Sequence, residues 1–596
     1  MRKRLLVLFS VLIVGAMLLS ACGGTVVETV IVEKEGEMVV ETVIVEKEAE
    51  AGMQPVTMVW NYGTEPPTLD PSLATDTTSV DIIQNLFVGL TNFDPVTGAV
   101  IPYLATEWEV GEDADGNQTW TFKLRDDIAW VKYDPVTGET TQEVDADGNP
   151  RFVNAHDVVY GAKRTVDPAT ASDYAYVTYV IKNSLAINSG DEGYTVDDLG
   201  VAALDDYTVQ FTLEYPAGYF PAIAGMWIVK PMPEWNITEW EDKWTEAGLI
   251  ATNGPYALES WIHGGELNLV KNPLWINADD VQIERVEGLM IVEASTAFAL
   301  YENNELDTTG VPLPEMDRVK ADPVLSADYY NAPDVCTYYY GFTNTKPPFD
   351  DVRVRTAFTQ AIDRQSLIDN VLKGGQIPAT SFAPDGIFGA PPQGTVGLPS
   401  DAAAAKASLQ EYLDEKGMTI DDFNAMDIVL MHNTSEGHAR IAAAIQQMWA
   451  DTLGVEVRVE NQEWAVYLVT LQNDSPLEDM PHVWRMGWCA DYPDENNWIH
   501  EVFNADEGAN RLRRTSGKFD ELTVQAGREQ DPEVRKELYY EAEKILAEEE
   551  VAYAPIYVYT VVQVTKPWLT RDYPSLGGNN FYDWVIDWDA KLAATQ

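Results

Sequence analysis

The first long apolar run, Leu5–Leu19, with Ser10 its one polar residue, comes directly after Arg2, Lys3 and Arg4. Fifteen residues are too few for a bilayer span, which needs roughly 20, so block and basic flank predict an export signal rather than a membrane helix. Beyond it the pattern alternates between two periods. TMVWNYG from Thr57 reads as a strand ended by the prolines of EPPTLDP (65–71), and Ser79–Leu90 has helical spacing through Ile82, Leu86 and Leu90. NAHDVVYGAKR (154–164) predicts a helix capped by Asn154, with His156 on the surface beside the cap. Strands follow at YTVQFTLEY (207–215) and on both sides of a Gly-Gly turn in 253–275. Cys336–Phe342 reads as a buried strand and Val352–Leu372 as one helix. A strand at 426–433, a helix over His438–Trp449 and a strand at 455–464 give the pattern of an open α/β lobe. Val534–Glu548 predicts another helix, before the apolar strand at 552–564.

Leu19-Ser20-Ala21-Cys22, followed by Gly23-Gly24, has the form of a lipoprotein signal cut before Cys22, with that cysteine as the lipidation site. The segments 26–37 and 39–50 differ at one position in twelve. Two copies are too few for a solenoid, which leaves a short strand or a spacer. The remaining chain exceeds the roughly 250–300 residues at which one core stops growing, so two or three lobes are expected. With 96 acidic against 39 basic residues, the net charge of -57 argues against nucleic acid and against broad contact with anionic lipid.

The chain contains no glycine-rich phosphate loop, no HExxH and no GxSxG. Catalytic residues, cofactor and metal are therefore all read as none. Of the six histidines, His432 and His438 alone are close in sequence, and a zinc site needs three or four converging ligands. The two DADGN elements (113–117 and 145–149) read as Asp-Gly hairpin turns, because their glycines come too early for an EF-hand. If Cys22 is lipidated, Cys336 and Cys489 remain as an even pair, either bonded or as two free buried thiols.

Arg485-Met486-Gly487-Trp488-Cys489-Ala490-Asp491-Tyr492-Pro493-Asp494 is the densest polar and aromatic cluster. An ionised Asp491 in a cleft can receive an ammonium group. Arg485 can receive a carboxylate or hold Asp491 in place, and Trp488 and Tyr492 can supply flat walls. A capped turn with an internal ion pair explains the same residues equally well.

From about Val56 to Ile586 the chain resembles the extracytoplasmic solute-binding proteins of ABC transporters, specifically the oligopeptide- and dipeptide-binding family. The resemblance is carried in order by EPPTLDPSLATD, LATEWEV, FKLRDDIAW, NAHDVVYGAKR, NGPYALESW with KNPLW, NTKPPFDDVRVRTAFTQAIDR, AAIQQMWADTLGVEVRVENQEW, GWCADYPDENNW and YYEAEKILAEEEVAYAPIYVY. It implies an α/β protein of the periplasmic-binding-protein type II (cluster C) fold, with two lobes closing about a hinge and an extra domain. The expected parts are a signal peptide (1–21), a lipid-anchored repeat linker (22–53), domain I (54–97, 229–335 and 556–596), domain II (98–228) and domain III (336–555). The resemblance also implies that Asp491 binds a peptide α-ammonium, that Cys336 and Cys489 are disulfide-bonded, that Arg485 lies near the carboxylate of longer peptides, and that Thr75, Asp76 and Thr77 run beside the ligand backbone. Thr75 departs from the glutamate common at that position in enteric members.

The expected function is thus a monomeric, non-enzymatic, extracytoplasmic lipoprotein that binds short extended peptides and delivers them to membrane permease subunits. The alternatives are the same scaffold holding an oligosaccharide, opine or nickel complex, a surface glycosidase with two opposed carboxylates, or a peptide receptor or envelope chaperone without a permease.

Overall fold

The computed structural model of the chain describes residues 27–34, 37–44 and 54–595. The export signal over 1–21 and the lipidation site Cys22 lie outside them. The chain divides into two units, with the break after Pro55. In the first, the repeat copies supply strands Val27–Lys34 and Glu37–Ile44, paired antiparallel from Val27 with Ile44 to Lys34 with Glu37.

In the second unit the sheets draw on different stretches of chain. One is local: Val201–Asp205, Thr208–Thr212, Gln118–Leu124 and Ala105–Glu112, in that order and antiparallel throughout. Another joins Thr57–Asn61 in parallel to Arg285–Leu289, beside Glu266–Lys271 and Tyr256–Ile262, so the chain leaves this sheet and later returns to it. The largest runs in the order Thr308–Gly310, Tyr553–Thr565, Tyr329–Phe342, Val483–Cys489, Ile428–Asn433 and Val457–Gln462, with Ile377–Pro378 attached to Tyr553–Thr565.

Period-two alternation explains why the largest sheet is apolar on both faces. Tyr338, Tyr340 and Phe342 point into one core with Ile428, Leu430 and Val483, whereas Tyr339 joins Met431, Trp484 and Met486 in the core on the opposite face. A separate core unites residues between Met58 and Val286 with Trp568–Ile586, so several cores form, as chain length requires.

Local chemistry sets the helix ends. Asn154 caps Ala155–Val166 by accepting from His156 N at 2.8 Å, while Asp157 accepts from Asn154 N at 3.0 Å, which makes a capping box. Helix Glu436–Leu453 starts at Ser435 and stops at Gly454, whose φ of +72° is the left-handed turn glycine tolerates best. It connects the parallel strands Ile428–Asn433 and Val457–Gln462, the predicted α/β unit. The helix expected over Val352–Leu372 is instead broken. Val352–Gln360 ends, Asp363 caps a new start by accepting from Ser366 N at 2.9 Å, and Arg364 turns inward to the Pro555 carbonyl at 2.7 Å. The helix expected over Ser79–Leu90 runs from Thr77 to Leu86, with Asp76 as its cap.

In both DADGN turns the leading aspartate, Asp113 or Asp145, accepts from the amides two and four residues ahead and from the closing asparagine side chain. Among the described residues no helix is long and apolar enough to cross a membrane.

Candidate functional site: a cavity between two halves of the chain

A cavity of about 520 Å³ lies where residues 75–93, 174–230 and 574–582 face residues 464–511. That volume suits a small ligand held between structural units. Of the residues expected at a ligand site, Thr75, Asp76, Thr77, Arg485, Trp488 and Asp491 all line it, together with Cys336 and Cys489.

The strand Val483–Cys489 positions most of the chemistry. One edge is paired with Cys336–Phe342 along its whole length; the other meets Ile428–Asn433 only at Val483 and Trp484. From Arg485 onward that second edge has no strand partner among the described residues. Cys336 and Cys489 are register partners with Cα atoms 4.0 Å apart, joined by the expected disulfide.

Asp491 follows the end of this strand. Its Oδ2 accepts from Tyr174 Oη at 2.8 Å and Asn497 Nδ2 at 2.9 Å, while its own amide donates to Asn497 Oδ1 at 2.9 Å. Burial pushes the carboxyl up to about 6, against these two hydrogen bonds, which favour the ionised form. Behind it Glu501 accepts from Asn497 Nδ2 at 2.8 Å and from Tyr492 Oη, and burial raises Glu501 to about 8. Of the two carboxyls, Asp491 in the cavity wall therefore ionises more readily than Glu501 behind it.

Arg485 does not hold Asp491. Its guanidinium donates to Asn433 Oδ1 at 3.1 Å and to Tyr559 Oη, and it lies 4.7 Å from the centre of the Tyr338 ring. Its Nε has no hydrogen-bond partner, and no carboxylate lies within 4 Å among the described residues. The nearby His432 and His438 are held neutral by burial, reinforced by the Arg485 charge, so they form no charged pair.

The wall expected from Trp488 and Tyr492 is half present. Trp488 lines the cavity and lies parallel to Tyr174, ring centres 6.3 Å apart, and Tyr174 in turn packs on Trp227 at 5.2 Å. Tyr492 is fully buried behind the wall, stacked on Tyr219 at 5.5 Å. Its hydroxyl reaches Glu501 and it is not among the cavity-lining residues, so it supports the wall without facing the cavity.

Asp76 is tied to protein rather than free. Its Oδ1 accepts from the amides of Thr78 at 3.0 Å and Ser79 at 3.1 Å, and from Trp464 Nε1 at 3.3 Å across the cavity. Oδ2 remains buried without a partner, and burial raises the carboxyl. Away from the cavity lining, Gln530 Nε2 donates to the Pro216 carbonyl at 2.9 Å and Ser295 N to Glu436 at 3.0 Å.

Tyr174, Tyr176, Trp464, Asn497, Glu501, Lys230 and Arg511 were not singled out from sequence. Asn497 and Trp464 lie inside stretches that carried the resemblance, and Tyr174 and Tyr176 belong to the tyrosine-rich run 174–179. Nothing in the pattern around Lys230, Glu501 or Arg511 signals a role at a cavity.

The family model for bacterial extracellular solute-binding proteins, family 5, matches residues 99–510. The periplasmic oligopeptide-binding protein OppA of Salmonella typhimurium is 34% identical over 518 residues, covering 86% of this chain and 89% of its own. Haemophilus influenzae OppA in complex with RPPGFSPFR superposes with a TM-score of 0.77 at 27% identity, over 89% of this chain and 99% of that one. The Escherichia coli murein tripeptide binding protein MppA gives 0.78 at 30% identity, covering 90% and 99%. Its unliganded open form gives 0.58 at the same identity, covering 89% and 98%, so the arrangement of this chain departs from that open one. The chain belongs to the bacterial extracellular solute-binding proteins of family 5, with their type II binding-protein fold, and is a binding protein rather than an enzyme.

Proposed function

We propose that the protein binds short peptides in an extended form between its two halves and passes them to a permease of an ABC importer. The observation that carries this reading is Asp491. It is a carboxylate in the cavity wall whose Oδ2 is fixed by Tyr174 and Asn497 and whose Oδ1 accepts no hydrogen bond among the described residues. A peptide α-ammonium satisfies such a group by charge and by hydrogen bonding. The unpaired edge from Arg485 to Cys489 supports main-chain pairing with an extended ligand, which provides affinity with little demand on side chains. Arg485, buried without a carboxylate, is suited to the opposite charge at the other end of the peptide. The relatives named for oligopeptides are consistent with this ligand class.

An aromatic wall formed by Trp488, Tyr174 and Trp227 also suits a sugar, but the carboxylate beside it favours an amine. The basic n-region, apolar block and Cys22 support export with a lipid anchor at the outer face of the membrane or in the periplasm.

The test is native mass spectrometry of protein recovered from its host, followed by release and sequencing of the bound solute. A heterogeneous set of short peptides is expected; a single recurring sugar or metal complex overturns the peptide reading.

A further inference from the structure

Three cations line the cavity, Lys230, Arg485 and Arg511, and none has a carboxylate within 4 Å among the described residues. In a chain with 96 acidic side chains against 39 basic ones, an arginine without an acidic partner needs a local explanation. Two of the three have one. Lys230 is buried and donates to the Phe87 carbonyl at the end of helix Thr77–Leu86, and Arg485, already assigned to the peptide carboxylate, donates to Asn433 and Tyr559 and packs on the Tyr338 ring.

Arg511 is different. It is half-buried, and its one hydrogen bond is a long contact from Nη1 to the Leu468 carbonyl at 3.3 Å. The remaining guanidinium donors have no acceptor among the described residues. Arg514, three residues on, is by contrast held by Asp520 and Glu550. Arg511 sits among cavity-lining Tyr176, Tyr339, Leu468, Val502 and Ala509, an apolar and aromatic surround in which a charge is felt more strongly than in water. The positive charge acts on Tyr176, Tyr339 and Asp173. Ala509, two residues before Arg511, donates its amide to the Glu501 carbonyl at 2.8 Å, and Asn497 joins the Glu501 side chain to Asp491, which places Arg511 on the Asp491 side of the cavity; Tyr176, which feels both charges, packs 4.9 Å from Tyr174 there. Asp173 is beyond ion-pair distance from Arg511 and is engaged by Gln472.

We propose that Arg511 forms a side pocket for an acidic side chain close to the amino terminus of the bound peptide, which makes it a specificity-determining residue. This rests on the reading of Asp491 as the ammonium site. Asp491 then selects a free amino terminus, while Arg511 selects a carboxylate one or two residues along, so the ligand presents opposite charges at short spacing. The competing role, attraction between Arg511 and Asp173 that draws the two halves together, acts on every ligand alike.

Calorimetric titration at pH 7.5 separates these roles, using Glu-Ala-Ala and Ala-Glu-Ala against their glutamine counterparts. The wild-type protein is expected to favour glutamate over glutamine at one of the two positions by about tenfold, the scale of one partly buried charge-assisted hydrogen bond. Arg511→Gln is expected to abolish that preference while leaving the glutamine peptides unchanged. Arg511→Glu is expected to reverse the charge preference, towards lysine at that position, and serves as the second variant should Arg511→Gln melt early. Equal affinity of glutamate and glutamine peptides for the wild type, or equal loss for all peptides in Arg511→Gln, overturns the side pocket and leaves peptide binding standing. Absence of binding by any of the four peptides to the wild type overturns the peptide reading itself.

Discussion

Asp491 concentrates the residue-scale argument, because its proton and its ligand compete for one carboxylate. Burial pushes it up to about 6, whereas an ammonium ligand needs the ionised form. The sign follows directly. Above about pH 6 the carboxylate is charged and affinity is full; below it affinity falls by about tenfold per pH unit, as protonation must be reversed before the ligand binds. Asp491→Asn is expected to weaken peptides with free amino termini by roughly tenfold to a hundredfold, to leave N-acetylated peptides nearly unaffected, and to flatten the pH profile. Titration of both peptide forms between pH 5 and 8 checks this; equal loss for both forms excludes the ammonium role. The motif around Asp491 was legible in sequence as a cluster, but the separate fates of its members were not. Arg485, Trp488 and Asp491 face the cavity, whereas Tyr492 is packed beneath it. Whether an aromatic next to a turn is a wall or a support depends on which partner waits on each side, here Glu501, nine residues on, and Tyr219, which only the fold brings near.

Among the elements, the two long adjacent strands Tyr329–Phe342 and Tyr553–Thr565 have the most to say about movement. They cross the positions 335/336 and 555/556, where the sequence suggested that the chain passes between domains I and III. Their register is regular over Tyr329–Pro333 and shifts twice beyond it, between Pro333 and Thr337 and between Tyr338 and Tyr339, and Cys336 sits in the first gap. An interrupted register bends a strand pair, which places a candidate hinge beside the disulfide. The bond closes a stretch of 153 residues, and chain entropy alone assigns it about 5 kcal/mol. The double variant Cys336→Ala, Cys489→Ala is expected to melt at a clearly lower temperature while keeping the order of peptide affinities. An unchanged melting curve by circular dichroism counts against a stabilising role. Helix and strand types were readable where the pattern was strong, as at 426–464. The break after Gln360 was not, because it depends on Asp363 recapping the chain and on Arg364 finding a carbonyl 191 residues away.

At the scale of the whole molecule, the polar links from Asp76 to Trp464 and from Tyr174 to Asp491 join the two sides of the cavity, while the link from Gln530 to Pro216 lies outside its lining. Two of them run through residues that line the cavity, so occupancy and closure are coupled by shared groups. The difference in similarity to the peptide complex of OppA and the unliganded open form of MppA, 0.77 against 0.58, has the same sense. Small-angle X-ray scattering is therefore expected to show a smaller radius of gyration with saturating peptide than without it. Identical curves in the two states exclude closure as the response to ligand.

The sequence by itself determined the α/β class, the multiple cores, the family resemblance and the stretch that carries the site, because hydrophobic period, chain length and contiguous motifs are local properties. Only the tertiary structure decided which charged groups are left without an opposite charge within 4 Å among the described residues. Arg485, Arg511 and Asp491 owe their standing to neighbours contributed from far along the chain, Asn433, Leu468 and Tyr174, and a side chain's electrostatic role is set by the partners that folding brings within a few ångströms.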